Sequence, residues 1–432
     1  MSSAVRFEGV ASLGECTIDS PLISRYGPEG FLAEDARIMS FANAKKLGTD
    51  EAICFGRAGQ RRKIFHDPST TAAGIVTCGG LCPGLNNVIR SAVYELRYNY
   101  GVKTVWGFRY GYAGLNPAMG HDPVDLTCDR VEHINRQGGT ILGSSRGNQE
   151  PAVMADTLQR MGVNVLLCIG GDGTQRGAHA LGEEMLRRGA KVSIVGVPKT
   201  IDNDVAYCDR SFGFTTAVEA AAKALVGAHE EARGALNGIG LVKLMGRDAG
   251  FIAVGAAVAS QEVNFVLVPE QPFKLEGANG LLALLGKRLR DRRHAVIAVA
   301  EGAGQDLFEK AASGTDASGN RKYQDIGPFL KAKIEEYFAA KKFPIAIKYM
   351  DPSYTIRAVP ANTEDSVISD QYGRLAVHAA MSGRTDMVVC LSHGHFVHVS
   401  SKLVTSSKRK VRLDSVLWRA MLASTGQPPV MG

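Results

Sequence analysis

The chain has 432 residues, 45% hydrophobic and 22% charged, with 50 Lys and Arg against 43 Asp and Glu for a net charge of +7. This is ordinary globular composition, long enough for two or three domains with buried cores. The basic excess is scattered, and its densest cluster, Lys408-Arg409-Lys410-Val411-Arg412, is short; it reads as a solvated surface face rather than a nucleic-acid site. A mild positive balance suits a protein that handles anionic small molecules. The eight cysteines, at 16, 54, 78, 82, 128, 168, 208 and 390, form no CxxC pair, which argues for reduced thiols in a cytoplasmic protein. No run approaches the roughly 18 apolar residues of a membrane span, and no signal-peptide or peroxisomal pattern is present, so neither membrane nor nucleic acid is expected as a partner.

In chain order, residues 1–70 show weak periodicity and end in the basic stretch GRAGQRRKIFHDPST. They read as an extension packed on the body or on a neighbouring subunit. From residue 73 short apolar runs closed by glycine or a polar turn alternate with amphipathic segments: 73–80, 102–108, 163–171, 192–198, 239–246, 264–270, 294–302 and 387–394. That alternation predicts βαβ units, and the number of runs predicts two Rossmann-like α/β lobes with mainly parallel sheets and the active site in the cleft between them. In such sheets ligands bind beyond the carboxyl ends of the strands.

Four polar motifs follow strands directly. Cys78 to Asn86 (CGGLCPGLN) precedes a helical stretch, so its glycines allow close backbone approach to an anion at a helix N-terminus, or simply a tight strand–helix turn. Gly170 to Gly177 (GGDGTQRG) puts Asp172 at a strand end between glycines, placed to hold Mg²⁺ against phosphate oxygens or to cap the next helix. Val197 to Asp204 (VPKTIDND) sets Asp202 and Asp204 two residues apart beside Lys199, Thr200 and Asn203. One carboxylate can accept a proton from an attacking hydroxyl while the other stays anionic near metal; the plain alternative is an Asx-rich turn. Lys243 to Gly250 (KLMGRDAG) offers Arg247 to stabilise a transferring phosphoryl group, or an Arg–Asp surface turn.

Taken with GGTILGSSRG and VAEGAGQ, these motifs occur in an order and spacing that closely resemble 6-phosphofructokinase over about residues 60–420. The resemblance is greatest to the longer ATP-dependent branch of plants and trypanosomatids. GGDGT alone is shared with lipid and NAD kinases; PKTIDND with LMGRDAG is much more specific. The resemblance implies transfer of the ATP γ-phosphate to O1 of fructose 6-phosphate, a glycolytic step, by an allosteric homo-oligomer, tetramer or dimer. It implies a nucleotide-binding lobe of residues 71–213 plus about 356–405, and a sugar-phosphate lobe of 214–355 plus the C-terminal segment. Gly80, Arg146, Gly147, Gly171, Asp172, Gly173 and Thr174 are similar to the nucleotide site, with Asp172 as Mg²⁺ ligand. Asp202 is similar to the catalytic base, assisted by Arg247 and Thr200. Thr200, Ile201, Asp202, Met245, Gly246, Arg247 and Glu301 resemble fructose 6-phosphate contacts, and Tyr354 and Arg357 match the 6-phosphate site. Lys348 falls where bacterial members place an arginine that reaches across a subunit interface. Lys199, Tyr354 and Gly238 depart from the bacterial pattern, which has glycine, histidine and arginine there, so bacterial regulation does not carry over.

Within this family the donor is ATP or pyrophosphate. An aspartate at position 173 would place bulk and charge where the α-phosphate of ATP must lie; Gly173 leaves that volume empty. Lys199 points the other way, because pyrophosphate users carry lysine there. A clash excludes a ligand outright whereas an added lysine also serves a nucleotide, so ATP is expected, with a pyrophosphate-dependent enzyme as the alternative. A non-catalytic phosphosugar-binding subunit would require eroded residues, yet Asp172, Thr200, Asp202 and Arg247 all stand. Two further clusters read as structural. His393, His395 and His398 would not share one strand face, and Lys103 to Tyr112 reads as a strand with a packed loop before an adenine platform.

Overall fold

The computed structural model describes residues 4–40, 51–147, 149–308, 314 and 322–432. All eight apolar runs form strands: Ala72–Thr77, Thr104–Phe108, Val165–Gly170, Ser193–Pro198, Gly238–Leu244, Phe265–Leu267, His294–Ala300 and Met387–Ser392. Val165–Gly170 and Ser193–Pro198 are buried at every position. Strands covered on both faces need no polar alternation, which explains their continuous apolar texture.

Two sheets result. The larger has ten strands and a parallel centre in the order Met387–Ser392, Ser193–Pro198, Val165–Gly170, Ala72–Thr77, Thr104–Phe108. The hairpin partner His395–Ser400 and the short Val124–Asp125 extend it antiparallel on either side. The smaller sheet is wholly parallel, in the order Phe265–Leu267, His294–Ala300, Gly238–Leu244, Ala346–Met350. The helix Val416–Thr425 packs on the helix Phe251–Ser260, and the Gln427 side chain bonds both backbone groups of Val266 at 2.6 and 3.3 Å. The C-terminal segment therefore rests on the smaller sheet.

The N-terminal segment is more than an appended extension. Ala4–Glu8, Arg37–Ser40 and Glu51–Arg57 join the edge of the larger sheet, Glu51–Arg57 pairing with His395–Ser400. The outer strands expose apolar side chains such as Phe7 and Met39, and Glu51–Arg57 flanks its buried Cys54 and Phe55 with charged ends, so no clean apolar run marks them in the sequence. Among the described residues no helix is long and apolar enough to cross a membrane.

The first functional loop depends on a glycine. Gly84 precedes the helix Leu85–Tyr94 with φ 96°, and a Cβ there would lie 2.4 Å from Ser369 Oγ and 3.0 Å from Phe212 Cδ2. Gly84→Ala is expected to cost about 1–3 kcal/mol of stability, read as a lower urea midpoint with an unchanged slope.

Candidate active site

The carboxyl ends of Ala72–Thr77, Val165–Gly170 and Ser193–Pro198 from the larger sheet, and of Gly238–Leu244 and His294–Ala300 from the smaller, open onto one cavity of about 280 Å³. This is where parallel α/β sheets place ligands. Gly80, Arg146, Gly147, Gly171, Asp172, Gly173, Thr174, Lys199, Thr200, Ile201, Asp202, Met245, Arg247, Glu301 and Arg357 all line it.

On the nucleotide side the backbone is shaped to receive an anion. A Cβ on Gly80 would stand 3.4 Å from an Arg357 guanidinium nitrogen and 3.7 Å from one of Arg146, so the backbone here passes directly before both cations. Asp172 is the first residue of the helix Asp172–Arg187; Gly171 occupies the capping position and no side chain caps the helix. The Asp172 carboxylate is therefore not consumed as a cap. It pairs with Arg176 one turn on and faces the cavity at the positive end of the helix dipole. Gly170 must be glycine, because a Cβ there would lie 2.1 Å from Thr174 Oγ1. The buried Tyr112 hydroxyl donates to the Thr174 carbonyl at 2.7 Å, so the Lys103–Tyr112 run is a strand and a packed loop whose last tyrosine braces this turn.

Lys199 is buried, and its ammonium donates to the Gly80 carbonyl. Burial lowers its pKa, opposed by the nearby Cys82, Cys78 and Asp202. The lysine thus ties the first and third loops together.

The third loop turns sharply at Asn203, φ 55°, whose side chain accepts from Ser211 N at 3.1 Å and donates to the Asp209 carbonyl at 3.2 Å. Thr200 Oγ1 accepts from Asp202 N at 3.0 Å and donates to Asp204 Oδ1 at 3.3 Å. Asp202, half-buried at the cavity wall, has its pKa pushed up to about 8, first by burial and then by the charges of Asp204 and Glu301, against the pull of Arg247 and Lys408. Asp204 is also raised, chiefly by burial, and Lys408 opposes that rise.

From the other sheet, Arg247 adopts φ 48° and its backbone N donates to Glu301 Oε1 at 3.0 Å. Gly246, φ 143°, stands behind the cavity wall; a Cβ there would lie 2.4 Å from the Ala249 carbonyl oxygen. Two further predicted contacts also lie outside this chain's own cavity lining. Tyr354 is 74% exposed with Arg357 over its ring at 5.1 Å, and Lys348 pairs with Glu231 on the helix Phe214–Arg233. Gly238 has no room for a side chain, since a Cβ would lie 2.0 Å from the Ala232 carbonyl oxygen.

The basic cluster at 408–412 is a solvated face only in part: Lys410 and Arg412 are exposed, whereas Lys408 and Arg409 turn inward. Lys408 lines the cavity, 3.5 Å from Asp204 Oδ2 and 3.3 Å from Asp248 Oδ2. Arg409 donates to the carbonyls of Cys208 and Asp209 at 2.7 and 2.5 Å. Nothing in its local sequence marks the segment as part of the site, because long-range pairing alone brings it there. The three histidines also separate: His393 sits in the hairpin turn, His395 is exposed and His398 is buried.

Because folded Asp202 keeps its proton to about pH 8, the native state binds one more proton than the unfolded chain between the ordinary carboxylate range and that pH. The contribution is complete below the unfolded pKa and is lost as pH rises through the folded one. Asp202→Asn is therefore expected to flatten the fall in Tm between about pH 5 and about pH 8, measured by calorimetry beside the parent protein.

The phosphofructokinase family profile matches residues 72–380. The chain is 47% identical over 430 residues to an ATP-dependent 6-phosphofructokinase of Borreliella burgdorferi, covering 97% of this chain and 96% of that one. It is 48% identical over 365 residues to an ATP-dependent 6-phosphofructokinase of Trypanosoma brucei brucei, covering 84% and 74%. A pyrophosphate-dependent phosphofructokinase from Marinobacter aquaeolei superposes with a TM-score of 0.67 at 20% identity, over 84% of this chain and 92% of that one, a likeness of fold. On these matches the chain belongs to the phosphofructokinase family.

Proposed function

We propose that the chain is an ATP-dependent 6-phosphofructokinase, moving the γ-phosphate of ATP to O1 of fructose 6-phosphate to give the 1,6-bisphosphate and ADP. The observation that carries this reading is that Asp172 and Asp202, from adjacent parallel strands, face one cavity with Arg247 and Glu301 arriving from the second sheet. The larger-sheet lobe takes the nucleotide along Gly80, Arg146, Gly147 and Gly171–Thr174. The smaller-sheet lobe takes the sugar phosphate on Met245, Arg247, Glu301 and Arg357, with Thr200 and Ile201 opposite and Gly246 supporting the wall from behind. Asp202 accepts the proton of the attacking hydroxyl, and Arg247 stabilises charge on the transferring phosphoryl group. The carboxylates of Asp172 and Asp204 face the same cavity, an all-oxygen donor set that fits Mg²⁺ completed by phosphate oxygens. When bound there, the ion would neutralise donor phosphates.

ATP is favoured over pyrophosphate. Gly173 carries no side chain beside Asp172, and Lys199, the residue that favours pyrophosphate, is engaged by the Gly80 carbonyl. The positions of Tyr354 and Lys348 outside their own cavity support a homo-oligomer in which they complete a neighbour's sugar-phosphate site. The free thiols support a cytoplasmic setting.

Three outcomes test the proposal in a coupled assay. Asp202→Asn is expected to lower kcat by about 10²–10⁴-fold; parental turnover in that variant would refute the assigned base. The kcat/KM for fructose 6-phosphate should climb with pH toward about 8, since the base must be ionised in the free enzyme. Gly173→Asp should cripple ATP use, and an unchanged ATP rate would show that position 173 does not face the nucleotide.

A further inference from the structure

The segment after the helix Ser401–Thr405 leaves the larger sheet and crosses the loops of both lobes. Lys408 makes an antiparallel bridge with Val205, and Arg409 N donates to the Asp204 carbonyl at 2.8 Å. The Arg409 guanidinium lies over the Phe251 ring at 4.9 Å while bonding the carbonyls that follow the acidic loop. Three residues past Lys408, Val411 N donates to Glu270 Oε1 at 2.8 Å, and the same carboxylate accepts from Gly250 N at 3.0 Å. Residues 408–411 thus dock on the VPKTIDND loop of one sheet and on the end of the KLMGRDAG loop of the other.

Within this strap the Lys408 ammonium sits between two carboxylates from different lobes. Asp204 is two residues from the proposed base, and Asp248 follows Arg247 directly. Without the cation these carboxylates face each other across a partly buried gap, where like charges repel far more strongly than in bulk water. Asp248 would keep the Tyr323 hydroxyl as a donor. Arg247 and Asn203 both hold left-handed backbone, which persists only where surrounding contacts enforce it.

We propose that Lys408 is a positioning residue for phosphoryl transfer, an ammonium clasp that holds the base loop and the Arg247 loop in register across the cleft. The inference rests on the phosphofructokinase reading and adds to it a residue from outside the four motifs. The clasp acts on the geometry of transfer rather than on substrate affinity.

Lys408→Met is expected to lower kcat by about 10- to 100-fold, the usual cost of slight misplacement at a reacting centre, with KM for ATP and for fructose 6-phosphate within about threefold of the parent. Lys408→Arg, which keeps the charge, should recover most of the rate. The exposed control Lys402→Met should match the parent. In an Asp248→Asn background, Lys408→Met should cost much less than alone, because half of the clasp is already gone; this cycle also serves if the single lysine variant folds poorly. Parental kcat in Lys408→Met, a change confined to KM for ATP, or full additivity with Asp248→Asn would overturn the proposal. A parent protein that transfers no phosphate to fructose 6-phosphate would instead sink the phosphofructokinase reading beneath it.

Discussion

Four carboxylates share one small cleft, and the rest of the site is organised around keeping them there. Asp172, Asp202, Asp204 and Glu301 come from the ends of three parallel strands in two sheets, so no single segment chose their proximity. Like charges gathered away from water raise one another's proton affinity, and Asp202 bears that effect most plainly. Of the balancing cations, Lys199 shares the loop of Asp202 and Asp204, while Arg247 and Lys408 arrive from two further points in the chain. A cleft so arranged is poorly stable when empty and well matched to a ligand that brings its own charge. Functional sites commonly accept that trade, and the perturbed carboxyl is the physical mark of it.

The backbone supplies the rigidity that this repulsion demands. Parallel strands aim their loops at the cleft, and glycines at 84, 170 and 246 let main chain pass where any side chain would collide. Left-handed turns at Asn203 and Arg247 re-aim the loops, each locked by a hydrogen bond to a side chain: Asn203 through its own amide and Arg247 through Glu301. Cross-loop ties such as Lys199 to the Gly80 carbonyl make the loops one unit. The family's donor question is partly answered by this packing. A lysine already committed to a backbone carbonyl is a structural tie before it is a pyrophosphate ligand.

Much of this was legible from residue order alone, for identifiable reasons. Strands covered on both faces advertise themselves as continuous apolar runs, and acidic or glycine-rich motifs directly after them mark the ligand side of a parallel sheet. The strands Ala4–Glu8 and Glu51–Arg57 were not legible, because exposed apolar residues such as Phe7 and charged strand ends break up that texture. Lys408 and Arg409 looked like surface charge, since a basic run carries no sign of the distant carboxylates and carbonyls it will meet. Tyr354 and Lys348 matched a substrate site by motif, yet in a single chain neither lines the cavity.

The most direct check is phosphorus NMR of the parent protein with fructose 6-phosphate, Mg²⁺ and either ATP or pyrophosphate. The account predicts equal amounts of ADP and a new phosphate ester on C1 with ATP, and no ester with pyrophosphate. Ester formed from pyrophosphate but not from ATP, or ATP consumed with release of free phosphate alone, would contradict it.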